Sequence, residues 1–250
     1  MSLAPFYSSL GLPEACLLDK RIFKRMVLEH GELTAADKRT LSEDVSGLTW
    51  KYTLKPDTVK VLPYEDDERE YLEVAIIEVA LSDRRRASRL AEMIQRAIPY
   101  PVLLVMVEGA DFCVSVASKR FSRAEKGSVV AEDPLRSPWI TQPVAGLDLE
   151  FCEALSMPRL SRVDFRALYG DMVRAVLART CAELTGQFVL RPEDSTADRR
   201  QRLEQCHAIE REMGSLRVAI HQEAPFAEKV ELNTQIKKLE AQLDQTKADL

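Results

Sequence analysis

From residue 195 onward the apolar side chains recur at spacings of three and four: Leu203, Cys206, Ile209, Met213, Leu216 and Ile220, then, after Ala224-Pro225, Leu232, Ile236, Leu239, Leu243, Thr246 and Leu250. That spacing lays one apolar stripe along a helix, and a stripe of this length needs a second helix to cover it. Pro225 cannot sit inside one continuous helix, because it lacks an amide hydrogen and its ring clashes with the preceding turn. The pattern therefore predicts an antiparallel coiled-coil helical hairpin over 195–250, closed within one chain, with arms of about 25 residues reaching about 37 Å at 1.5 Å per residue. Leu232, Ile236, Leu239 and Leu243 form the stripe that a partner protein would use.

Residues 1–190 read differently, as an α+β core domain with a mixed β-sheet and flanking helices. Leu17 to Leu28 places Leu17, Leu18, Ile22, Phe23 and Met26 at helical spacing, with Lys20, Arg21, Lys24 and Arg25 between them, and predicts a basic amphipathic helix. Thr34 with Asp37 three residues on resembles a capping box that opens a second short helix to about Ser46. Trp50, Tyr52 and Leu54 alternate with polar residues, Lys55-Pro56-Asp57 reads as a turn, and Val59 to Leu62 reads as the return strand of a hairpin. Tyr71 to Leu81 is a central strand. A helix from about Arg84 to Ile98 follows, with Ala87, Leu90, Ala91 and Ile94 facing the core, and then strands at Tyr100 to Val107 and Phe112 to Ala117. The prolines of 122–146 predict an irregular connection holding short strands near Val129 and Trp139, and Ser161 with Asp164 opens a helix reaching about Leu184.

Charge is segregated along the chain. Residues 65–83 carry eight acids against Arg69, a net −7, and residues 84–124 carry a net +5, although the whole chain of 250 residues has a formal charge of −5. A protein that coats nucleic acid uniformly is excluded by that total, while a local basic face is not. Arg85, Arg89, Arg96, Lys119 and Arg120 are the candidate phosphate contacts, because such contacts need only mobile cations on one face. The bland alternative is a polar helix face balanced by the acidic run upstream.

Catalytic signatures are sparse. The nine glycines are isolated, and neither a P-loop nor a GxGxxG pattern occurs. His207 and His221 lie 14 residues apart, about 21 Å along one helix, too far to share a metal. Neither a metal nor an organic cofactor is called for. A metal-dependent nuclease needs clustered carboxylates with a lysine. Glu73, Glu78, Asp111 and Lys119 are the residues that folding would have to bring together for that chemistry. Cys16, Cys113, Cys152, Cys181 and Cys206 form no CxxC pair and read as reduced, buried thiols. No apolar run approaches the roughly 20 residues of a membrane span. A cytoplasmic protein, monomeric or weakly dimeric, is the expectation.

Leu12-Pro13, the basic turn Lys20 to Lys24, Trp50-Lys51 with Lys55-Pro56, Ile98-Pro99-Tyr100-Pro101, and Phe226 with Lys229-Val230-Glu231-Leu232-Asn233 together resemble a bacterial family known as domain of unknown function 4391. The resemblance spans nearly the whole chain. It implies an accessory role in restriction-like phage-defence gene clusters, beside helicases and DNA methyltransferases. The expected function is thus a non-catalytic adaptor that docks a helicase or methyltransferase and contacts DNA or RNA, with a divergent metal-dependent nuclease as the alternative.

Overall fold

The computed structural model describes residues 3–30, 33–125, 127–191, 195–221 and 225–250. The chain divides into two compact units, Met1–Thr180 and Cys181–Leu250.

The first unit is built on a six-stranded mixed sheet of order β1-β2-β5-β6-β7-β8, formed by β1 (Leu17–Ile22), β2 (Val45–Leu54), β5 (Val74–Leu81), β6 (Val102–Glu108), β7 (Asp111–Phe121) and β8 (Val129–Arg136). All neighbours run antiparallel except β5 and β6, which are parallel and joined through helix α5 (Ala87–Ala97). A parallel pair needs such a crossover, because a tight turn cannot return the chain to the same end of the sheet. β5 and β6 are buried along nearly their whole length, as their Val-, Ile- and Leu-rich runs require, with Glu78 the one charged residue inside β5. On one face Ile77, Val79, Leu104 and Cys113 pack with Leu90 and Ile94 of α5 and Leu41 of α3 (Ala35–Asp44). On the other, Phe112 meets Phe6 of α1 (Ala4–Ser9), with ring centroids 4.6 Å apart. Helices α6 (Leu147–Ala154) and α7 (Phe165–Thr185) bury Phe151, Phe165, Leu168 and Tyr169.

Two sequence expectations are corrected, and the strand expected near Val129 forms but is longer than expected. Leu17–Ile22 is an edge strand, and only Lys24–His30 is helical (α2). The apolar residues of Leu17 to Leu28 fit a helical stripe, yet Asp19 takes a left-handed backbone (φ 45°), and Lys20, Arg21 and Ile22 pair with Trp50, Thr49 and Leu48. The Val59–Leu62 return strand does not form. Pro56 instead starts a one-turn helix, α4 (Pro56–Val59), ended by left-handed Lys60 (φ 56°), and β2 pairs with the more apolar β5. The connection after β7 holds a full strand, β8, which tolerates Pro134 because it lies at the sheet edge. A two-stranded ribbon, β3 (Tyr64–Glu65) with β4 (Glu70–Tyr71), carries the acidic run.

The second unit is a helical pair, α8 (Thr196–His221) and α9 (Phe226–Ala248). Leu203, Cys206, Ile209 and Met213 are buried on α8, and Ile236, Leu243 and Leu250 at or just beyond α9. Ion pairs Glu210–Lys247 (3.7 Å) and Arg217–Glu240 (3.2 Å) advance along α8 while retreating along α9, so the helices run antiparallel. All five cysteines are free and buried. Among the described residues no helix is long and apolar enough to cross a membrane.

Candidate functional site

The candidate phosphate-binding cations are already engaged. Asp83 accepts from the Arg85 amide and pairs with its guanidinium. Asp37, fixed by its capping box with Thr34 at the start of α3, receives Arg89 through two bonds of 2.8 and 2.7 Å. That bidentate contact holds the Asp37 carboxyl well below the usual carboxylate range. Arg96 pairs with Glu92 and Arg120 with Glu132. A phosphate would have to displace a carboxylate at each of these positions.

Lys119 is 1% exposed. Its Nζ donates to the Gln95 carbonyl in the last turn of α5, and burial pulls its pKa down to about 7. Glu73 lines the same recess of about 250 Å³ as Lys119, together with Glu70, Tyr100 and Arg120. Burial and then the nearby Glu73 charge push the Tyr100 hydroxyl up to about 12. Glu78 and Asp111 are elsewhere. Glu78 accepts a 2.7 Å bond from Tyr7 of α1, and Asp111 is held by Arg84 at 2.9 Å. Folding therefore joins Glu73 with Lys119 and separates both from Glu78 and from Asp111.

Glu78 has other company. Thr49 is its strand partner, and Lys51, two positions on, donates to Asp19 at 2.6 Å and lies 5.6 Å from the Tyr7 ring. Burial opposes the Lys51 charge, but the Asp19 bond and the Asp19 and Glu78 charges raise its pKa overall. Glu78, Lys51, Tyr7 and Tyr52 line a cavity of about 390 Å³ on the α1 face. Alternation in β2 could have signalled that Lys51 points away from Trp50, but its meeting with Glu78 and Asp19 depends on strand pairing. Among the described residues no three His, Cys, Asp or Glu side chains are grouped to hold a metal ion.

On the α5 face a larger groove of about 400 Å³ opens between α2, β2 and the Pro99–Tyr100 junction. Ile77 and Ile94 line it along with Trp50 and Tyr100, whose rings stack with centroids 5.7 Å apart. The candidate partner stripe of the hairpin is turned inward: Ile236 and Leu243 are buried and Leu232 and Leu239 half-buried.

These features define an α+β protein with a mixed sheet, two separate polar clusters and a self-closed helical pair. The chain matches the family described as Domain of unknown function (DUF4391) over residues 10–243 and belongs to it. No curated protein and no solved structure matches the chain.

Proposed function

We propose that this protein is a non-catalytic accessory subunit of a restriction-like phage-defence system, whose helical hairpin docks a helicase or DNA methyltransferase. The observation that carries this reading is the hairpin itself. Its seam is satisfied within the chain, yet Val218 and Val230, near the turn end of its two helices, stay 59% and 50% exposed. A helix pair that has closed its own seam can offer such outward residues to another protein. The ion-paired arginines favour a protein over a nucleic acid as the partner.

Carboxylates at both tip positions, Val218→Asp with Val230→Asp, should weaken co-purification with the helicase or methyltransferase at least about tenfold, because two valines lose apolar contact and gain charges. Both sites are exposed, so cooperative unfolding should stay as in the wild type. Undiminished binding by a folded double variant would overturn the docking site.

A second reading, the divergent metal-dependent nuclease, is favoured by the grouping of Glu78, Asp19 and Lys51. Magnesium needs only one or two carboxylates and keeps several waters, and a neighbouring lysine can stabilise phosphate charge. On this reading plasmid DNA is cut in Mg²⁺ or Mn²⁺, and Glu78→Gln lowers the rate about a hundredfold or more. Equal activity in both proteins, or none from the wild type alone and with its partner, removes the nuclease.

A further inference from the structure

We propose that the second unit binds the phosphate group of a small phosphorylated compound in the cavity lined by Arg191, Arg199 and Lys247, at the end of the helical pair away from Pro225. Arg199 carries the argument. It sits in the first turn of α8, is 4% exposed, and among the described residues no carboxylate pairs with it. Its Nε is shut off from solvent and has no hydrogen-bond partner. The guanidinium donates to the thiol of Cys181, which is a weak acceptor. Burying a cation without a counter-charge is costly, and an arginine cannot escape that cost by shedding its proton. Arg179, buried nearly as fully, shows the usual solution, with Asp148 accepting from its Nε at 2.7 Å. For Arg199 the counter-charge is an anion held in the cavity that it lines.

The rest of the lining says which anion. Lys247, in the last turn of α9, brings a second cation, and its pair with Glu210 spans 3.7 Å, longer than a charge-assisted hydrogen bond. Arg191, which donates to the Asp249 carbonyl at 3.3 Å, brings a third. Among the described residues no acidic side chain lines the cavity. Three cations, one of them paired with Glu210, suit a dianion, and guanidinium forks match phosphate oxygens. The remaining wall is apolar, from Leu184, Val189 and Leu250, and the volume of about 340 Å³ falls in the range of small-molecule sites. An organic body on the phosphate would fill that part. The negative C-terminal end of α9 attracts cations by itself, which accounts for Arg191 on the Asp249 carbonyl. Arg199 has no carbonyl partner among the described residues, so the helix end does not account for its burial. Val218 and Val230 lie at the opposite end of both helices, and the outcome is independent of the docking reading above.

Calorimetric titration of the full chain in chloride buffer of fixed ionic strength should give a Kd of about 0.1 mM for phenyl phosphate and about tenfold weaker for inorganic phosphate. Arg199→Met should weaken phenyl phosphate binding at least about thirtyfold. In phosphate-free buffer the same variant should unfold no more readily than the wild type, because it removes a buried charge that has no partner there. Lys247→Gln, at a partly exposed position, should fold as the wild type does and bind about tenfold more weakly. No binding by the wild type, or binding undiminished in either variant, would overturn the site. Phenyl phosphate binding no tighter than phosphate would overturn the organic ligand in favour of free phosphate. Binding that appears only after Glu193→Gln with Asp194→Asn would show that the chain's own carboxylates fill the cavity, and would overturn the proposal.

Discussion

Lys119→Met is expected to stabilise the protein by about 2 kcal/mol near pH 6, because a buried cation with little compensation is replaced by an apolar chain of similar length. The ammonium donates to the Gln95 carbonyl at the end of α5, where the helix dipole also favours positive charge. Its surroundings are otherwise poor in acceptors aimed at it. Gln95 directs its Nε2 to the Val102 and Ser115 carbonyls, while Glu70, Glu73 and Arg120 line the adjoining recess. A pKa lowered from 10.5 to about 7 means that burial outweighs these attractions. Below about pH 7 folded and unfolded chains both carry the charge, and the wild type bears the full burial cost. Between about pH 7 and 10.5 the unfolded chain binds the proton and the folded chain does not, so wild-type stability rises with pH. The advantage of methionine should therefore be largest in acid and shrink as pH rises through that window. Urea unfolding of both proteins from about pH 6 to pH 10 measures it. A variant less stable than wild type at pH 6 would mean that the Gln95 contact outweighs the burial.

Local signals were legible in the sequence wherever a few adjacent residues decide the outcome. Thr34 and Asp37 form the capping box that their spacing announces, α5 presents Leu90 and Ile94 to the sheet, and the spacing in the last quarter yields the two helices of the hairpin. What escaped was set by partners distant in the chain. Leu17, Leu18 and Ile22 fit a helix by spacing, but strand β2 takes them into the sheet. Arg89 looked free because its acceptor, Asp37, lies 52 residues away, and Lys51 gave no sign of Glu78 until β2 paired with β5. Glu73 and Lys119 share a recess only because the β5–α5–β6 crossover returns Tyr100 beside Glu73.

Tyr169→Phe is expected to cost about 2–3 kcal/mol, the penalty of leaving buried polar groups without a partner rather than the net worth of one hydrogen bond. Strand β7 slips register against β8 between Val116 and Ser118, and tyrosine hydroxyls serve the backbone within that slip and just beyond it. The Ala117 amide donates to Tyr169 Oη at 3.0 Å, and that hydroxyl donates to the Val102 carbonyl at 2.8 Å. The Lys119 amide donates to Tyr71 Oη at 2.9 Å. All these groups are buried, so water does not readily replace a lost partner. Removing the Tyr169 hydroxyl strands the Ala117 amide between two strands and costs more than an exposed bond would. Tyr71→Phe should be milder, about 1–2 kcal/mol, since it strands one amide and leaves no second strand uncoupled. The two rings lie 5.9 Å apart and serve consecutive stretches of one strand, so the double variant should lose less than the two single losses combined. Denaturant unfolding of the three variants tests both points. A loss below about 0.5 kcal/mol for Tyr169→Phe would mean that β7 shifts to find its amide another acceptor, and the register slip would then be a soft feature of the sheet rather than one held by its tyrosines.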